Sequence, residues 1–209
     1  MRKLSSICVI VLVALLFVAC EEKQPAKSAE TKTENQAPEY RTGREVFQKL
    51  YVSARGFAPD MKAYRLESSY TPGSPVEQGK AGIWFGQFAS AARRSIKSYT
   101  WSGLSGPNYP DRGISHGTED TYNPSNASTQ VFDIAFLKVD SDKAFQVAQE
   151  HGGAAIMKKD PKHPVTFLLD WNGRKNELIW HVIYGTDRND AKLKIAVDAS
   201  SGRFVEKER

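Results

Sequence analysis

An internal repeat constrains the fold of this chain more than any other feature. Ile83-Trp84-x-x-x-Phe88 returns later as Ile179-Trp180-x-x-x-Tyr184. Upstream of the first motif lies Val46-Phe47-Gln48, matched by Ala144-Phe145-Gln146 upstream of the second. Downstream, Ile96 aligns with Ile195 and Gly103 with Gly202, and partners stay about one hundred residues apart throughout. Each match alone is short. Four in one order mean that a topology adopted by the first stretch is repeated by the second.

Local patterning gives each copy the same outline. In the second copy, residues 130–139 read as a strand with Phe132, Ile134 and Phe136 on one face. Asp140 or Ser141 caps a helix carrying Ala144, Phe145, Val147 and Ala148, which Gly152-Gly153 frays or ends. Strands are expected at 164–171, 177–184, 191–197 and 203–206, with Asn172-Gly173 as a hairpin turn. The first copy predicts a helix over 44–55 and strands near 62–68, 82–89 and 94–101. A long loop insertion, 104–129, rich in Gly, Pro, Ser and Asn, separates this copy from the next. The fold class is therefore α+β, as two similar lobes, each a helix packed on a three- to four-stranded antiparallel sheet. Trp84 and Trp180, at equivalent strand positions, are expected in the core.

The chain opens with Met1-Arg2-Lys3 and then an uncharged apolar run to Ala19. This is short for a membrane span, which needs about 20 apolar residues, and has the flanks of a signal peptide. Its end, Leu16-Phe17-Val18-Ala19-Cys20, resembles the lipobox of bacterial lipoproteins. The resemblance implies that residues 1–19 are removed and that the Cys20 thiolate takes a diacylglyceryl group as a thioether. Acylation of the new amine would complete an anchor of two or three chains, such as palmitate. Residues 20–39 then form a lipidated cysteine and a disordered tether, rich in Glu, Lys, Gln, Ser, Thr and Pro. Glu21 in place of aspartate points to the outer membrane, with the body facing the periplasm or the cell exterior. Cys8 and Cys20 are the only cysteines, so a mature body from 40 onward has no disulfide, thiolate metal site or cysteine nucleophile.

Two units fill the body, 40–139 and 140–209. The second resembles PepSY-type domains, small cystatin-like α+β modules of secreted and envelope proteins. The likeness rests on Ala144, Phe145 and Ala148 in the helix, on Trp180-x-Val182-x-Tyr184, and on Ile195-Ala196-Val197-Asp198-Ala199-x-x-Gly202. In the first unit Tyr99-Thr100-Trp101 stands before Gly103 instead, so the pair is a divergent tandem. The resemblance implies a non-catalytic module that binds a protein partner, with a peptidase as one candidate, and it brings no catalytic residues with it.

The residues supply no catalytic signature of their own. His116, His151, His163 and His181 form no zinc-binding spacing, and there is no G-x-S-x-G elbow or P-loop. His181 lies within a strand, and Asp170 and Asp198 read as strand-end and turn carboxylates. Asp111, Glu119, Asp120 and Asn123 offer oxygen donors in the insertion without the spacing of a calcium loop. No metal and no cofactor are expected. The formal charge of +5 falls to +3 without Arg2 and Lys3 and shows no basic block, so nucleic acid is not an expected partner. Tyr109, His116 and Tyr122 in the insertion are the expected contact residues for an envelope protein partner. Two other readings stay open: a hydrolase of envelope polymers using Asp111, Glu119 or Asp170, and a carrier of a small ligand or metal ion.

Overall fold

The computed structural model describes residues 36–126 and 130–208. The expected signal peptide, Cys20 and the tether up to residue 35 lie outside them.

A two-residue strand, β1 (Arg41–Thr42), leads into α1 (Gly43–Ala54). Strands β2 (Lys62–Ser68), β3 (Lys80–Ala81), β4 (Ile83–Ser90), β5 (Ser95–Ser102) and β6 (Gly113–Thr121) follow. The second half begins with α2 (Ser141–Ala148), crosses a kink at His151 and Gly152 into α3 (Ala154–Lys159), and ends in four strands. These are β7 (Thr166–Asn172), β8 (Glu177–Tyr184), β9 (Leu193–Asp198) and β10 (Phe204–Glu208). The fold is α+β, with eight strands in one antiparallel sheet ordered β10-β9-β8-β7-β2-β4-β5-β6.

That order states the repeat in space. Each half contributes a helix and a run of four adjacent strands, and the halves meet where β2 pairs with β7. The stretches 40–139 and 140–209 thus share one sheet and one hydrophobic core. Alternation along β8 explains its apolar composition. Leu178, Trp180, Val182 and Tyr184 belong to the core under the helices, while Ile179, His181 and Ile183 are buried on the opposite face.

The helix N-termini are capped across the two halves. Asp140 Oδ1 accepts from Ser141 N at 2.7 Å and from Arg44 N at 2.8 Å, and its Oδ2 accepts from Thr42 Oγ1 at 2.7 Å. Ser141 Oγ accepts from Gly43 N at 2.8 Å and donates to Gly79 O at 2.6 Å. One carboxylate therefore satisfies orphan N–H groups of both α1 and α2. Beneath it the two tryptophans meet edge to face, with centroids 6.4 Å apart. Their indole N–H groups donate to Arg41 O at 3.0 Å and Val139 O at 2.9 Å, which are corresponding positions in the repeat. A Cβ at Gly43 would stand 2.5 Å from Trp180 Cη2 and 3.0 Å from Trp84 Cη2, so only glycine fits between them.

Two expectations need correction. Residues 130–139 are not a strand: Phe132 makes a single bridge to Ala63, and Asp133 then caps a 3-10 turn at Ile134–Phe136 through Ala135 N. That cap and the diversion of Lys138 N and Val139 N to Ala199 O remove the segment from the sheet. Gly152-Gly153 interrupts the helix as expected: α2 ends at Ala148, and His151 and Gly152 leave helical geometry, Gly152 with φ +123°, before α3 begins. A Cβ at Gly153 would overlap the Tyr184 hydroxyl, so the second glycine also serves packing. Finally, the insertion 104–129 is not all loop, because Gly113–Thr121 forms β6. Its Gly, Ser, Thr and acidic residues hide no apolar face, and backbone pairing with β5 along the strand keeps it in the sheet.

Replacing Asp140 by Ala is expected to cost about 2 kcal/mol, since it strips acceptors from two helix ends at once. The control Asp133→Ala, which loosens one exposed turn, should cost about 0.5 kcal/mol. Urea unfolding of both variants measures the difference. Equal losses would show that Asp140 does not couple the halves.

Candidate functional site

The sheet offers two faces, and each holds one feature that packing alone does not explain. On the helix face, α1 turns Val46, Phe47, Leu50 and Ala54 inward and shows Arg44, Glu45, Gln48, Lys49 and Ser53 to solvent. Val52 breaks that polar surface and is 69% exposed. Beside it the 3-10 turn projects Ile134 and Phe136, 41% and 42% exposed. Between helix and turn lies a groove of about 470 Å³ with Phe47, Tyr51 and Leu137 in its walls and Arg44 and Lys138 among its lining residues. On the other side of Val52, a shallower depression reaches Lys49, Arg41 and Ile114 of β6. Apolar side chains gathered at a groove and left in water mark a contact surface rather than a fold requirement.

The expected contact residues divide. Tyr109 is 39% exposed in the turn before β6, and His116 is exposed on β6 with its ring edge-on to Tyr99 at 6.2 Å. Tyr122 is buried at 5% exposure, because the chain after β6 turns back onto the sheet and Tyr122 N donates to Arg94 O. It offers no ring to a partner, which corrects that assignment.

The opposite face carries an ionic cluster at the join of the halves. His181 is 5% exposed, with Nε2 at 2.9 Å from Asp170 Oδ1 and Nδ1 at 2.9 Å from Glu208 Oε2. Arg188 and Arg65 approach Asp170 Oδ2 at 3.6 and 3.7 Å. Burial pushes the imidazole toward neutrality, but the hydrogen bonds and charges of Asp170 and Glu208 outweigh it and raise the His181 pKa above the ordinary 6.5. Burial likewise opposes ionisation of Asp170 and Glu208, yet His181, helped by Arg188 for both and by Arg65 or Lys194, holds them below 3.8 and 4.5. A protonated imidazole donating at both nitrogens has no lone pair for general-base work. It ties β10 and β7 to β8.

The remaining candidates stay apart. Glu119 pairs with Arg93 at 3.0 Å on β6, which is four strand spacings from Asp170, about 19 Å. Asp120 binds the N–H of Thr121, and Asn123 that of Ser125, as ordinary turn acceptors. Asp111 is exposed in the loop before β6. Asp198 accepts from Ser200 N and Ser201 N at 2.7 and 2.8 Å, the turn role expected of it. His151 stacks on Phe204, and His163 lies 3.3 Å from Tyr184 O. Among the described residues no group of His, Cys, Asp and Glu is placed to hold a metal ion, and no helix is long and apolar enough to cross a membrane.

No family model matches the chain, and neither a curated protein nor a solved structure is found to be similar to it.

Val52 is legible in the sequence as the one apolar residue off the buried stripe of α1. Arg65, Arg188 and Glu208 carry no local signal, because the sheet order that assembles them is a long-range property.

The cluster sets a pH dependence. The folded His181 binds its proton more tightly than the unfolded chain does, so its contribution is complete below about pH 6.5 and is lost as pH rises through the folded value. Asp170 and Glu208 contribute above their ordinary values and lose this as pH falls through their folded ones. The stability difference between the wild type and His181→Gln should peak at about pH 5–6.5 and shrink on either side. Urea midpoints across pH check this. A difference that keeps growing above neutrality would contradict it.

Proposed function

We propose that this chain is a lipid-anchored protein of the bacterial envelope, leaning to the outer membrane, that binds a protein partner and catalyses no reaction. In this reading Cys20 carries the anchor, the tether holds the body off the bilayer, and the body is a divergent tandem of PepSY-like units. The recurrence of one helix and four neighbouring strands in each half supports the tandem. The observation that carries the binding function is the groove beside α1, where Val52 and Ile134 stand exposed over Phe47, Tyr51 and Leu137. Burying such side chains contributes about 25 cal/mol per Å² of apolar surface.

The groove suits an amphipathic segment of the partner. Apolar side chains spaced along a helix would enter it, and acidic residues beside them would meet Arg44 and Lys138 at its rim. Tyr109 and His116 lie at the β6 end of the sheet, where the same partner would extend its contact. A non-catalytic role is supported by His181, whose two ring nitrogens are both committed to carboxylates.

Two experiments test the parts separately. Cys20→Ser should move the protein from the membrane fraction to the soluble fraction, and an unchanged distribution would refute the anchor. Val52→Glu and Ile134→Glu, both at exposed positions, should leave the melting temperature within about 2 °C of wild type. Each should reduce capture of the partner from envelope extracts about tenfold, a loss of roughly 1.4 kcal/mol. Undiminished capture by both variants would refute the groove.

A further inference from the structure

The face away from the helices holds a second recess, of about 370 Å³, which the proposed protein partner does not use. Phe85, Leu168 and Ile183 supply apolar lining, Thr166 and Ser69 add polar lining, and the turn at residues 185–191 closes one side with Thr186, Asp187, Arg188 and Asn189. Arg65 and Arg188 both line it.

These two guanidinium groups are under-used. Neither makes a hydrogen bond within the described residues, and Arg65 Nε is buried with no partner at all. Their nearest carboxylate oxygens are 3.6 to 3.8 Å away, beyond hydrogen-bond range. Asp170 has one oxygen for both of them, Oδ2, because His181 holds Oδ1. Glu67 is 3.8 Å from Arg65 Nη1 and 44% exposed. The Asp187 carboxylate accepts from Asn189 N and Asp190 N in its own turn. Two planar donor forks therefore converge on one oxygen atom at the edge of a recess whose lining combines Phe85, Leu168 and Ile183 with polar side chains, Glu67 and Asp187 among them.

We infer that this recess binds a ligand carboxylate bridged by Arg65 and Arg188, with the ligand's apolar group resting on Phe85, Leu168 and Ile183. A carboxylate matches a guanidinium fork in two parallel hydrogen bonds, which a lysine ammonium or an amide ligand cannot reproduce. A small apolar acid and the C-terminal residue of a peptide share this chemistry.

The test is a titration of the mature chain carrying Cys20→Ser, following the side-chain Nε–Hε resonances of Arg65 and Arg188 by NMR. The probes are N-acetylleucine, its amide, N-acetyl-Ala-Leu and inorganic phosphate. N-acetylleucine should shift both resonances saturably, and its amide should bind at least tenfold more weakly. Arg188→Gln, in a surface turn, should weaken N-acetylleucine at least tenfold in protein whose spectrum stays that of the folded chain, and Arg65→Gln, which also removes a seam contact to Asp170, should weaken it as much in its folded fraction. Tighter binding of the acetylated dipeptide would identify the peptide C-terminus as the source, and equal binding would identify the single apolar acid. Acid and amide binding alike, phosphate binding as tightly as the acid, no saturable shift, or full binding by Arg188→Gln would each overturn the assignment.

Discussion

The pairing of β2 with β7 is the contact on which the rest of the molecule depends. It is short. Only Arg65↔Asp170, Leu66↔Leu169 and Glu67↔Leu168 are in register, whereas β4 and β5 pair along eight residues. Backbone hydrogen bonds at such a seam would not by themselves hold two halves together. The side chains on either face supply the rest. Trp84 and Trp180 meet beneath Gly43, and Asp140 and Ser141 reach across to the N-terminus of α1. An edge-to-face aromatic pair adds about 1 kcal/mol beyond its buried area.

The seam also decides where charge collects. Arg65 and Asp170 are direct cross-strand partners at the join, so the ionic cluster on the open face grows from one of the three seam pairs. His181 and Glu208 extend it across β8 to β10, and Arg188 reaches in from the turn after β8. Buried charges of this kind add little net stability over an apolar core but are costly to break singly. Their consequence is positional. They hold the second half's strands in register beside the recess, while the first half's helix, with the turn at Ile134–Phe136, shapes the groove on the other face.

The repeat makes the α+β outline legible in the amino-acid order itself, because the Trp motif, the helix triplets and the closing glycines recur in sequence. Helix α1 and strands β2, β4, β5, β7, β8 and β9 sit within two residues of their expected bounds at each end. Legibility fails where side-chain pattern and backbone pairing part company. Residues 130–139 alternate like a strand, yet local capping by Asp133 wins, and it is this failure that leaves Ile134 and Phe136 exposed. Strand β6 has the opposite character, with polar residues and no alternation, brought into the sheet by backbone pairing with β5. Of the expected contact residues, Tyr109 and His116 lie at the surface and Tyr122 does not. The arginine pair is invisible in the sequence because residues far apart along the chain meet only through sheet order.

Hydrogen exchange of the two indole N–H groups tests most directly whether the halves form one cooperative body. Trp84 and Trp180 donate to backbone carbonyls in equivalent settings, one in each half. The account predicts that both indoles exchange only through global unfolding, with the same free energy and the same denaturant dependence. Exchange of one indole through a smaller opening, while the other stays protected, would contradict it.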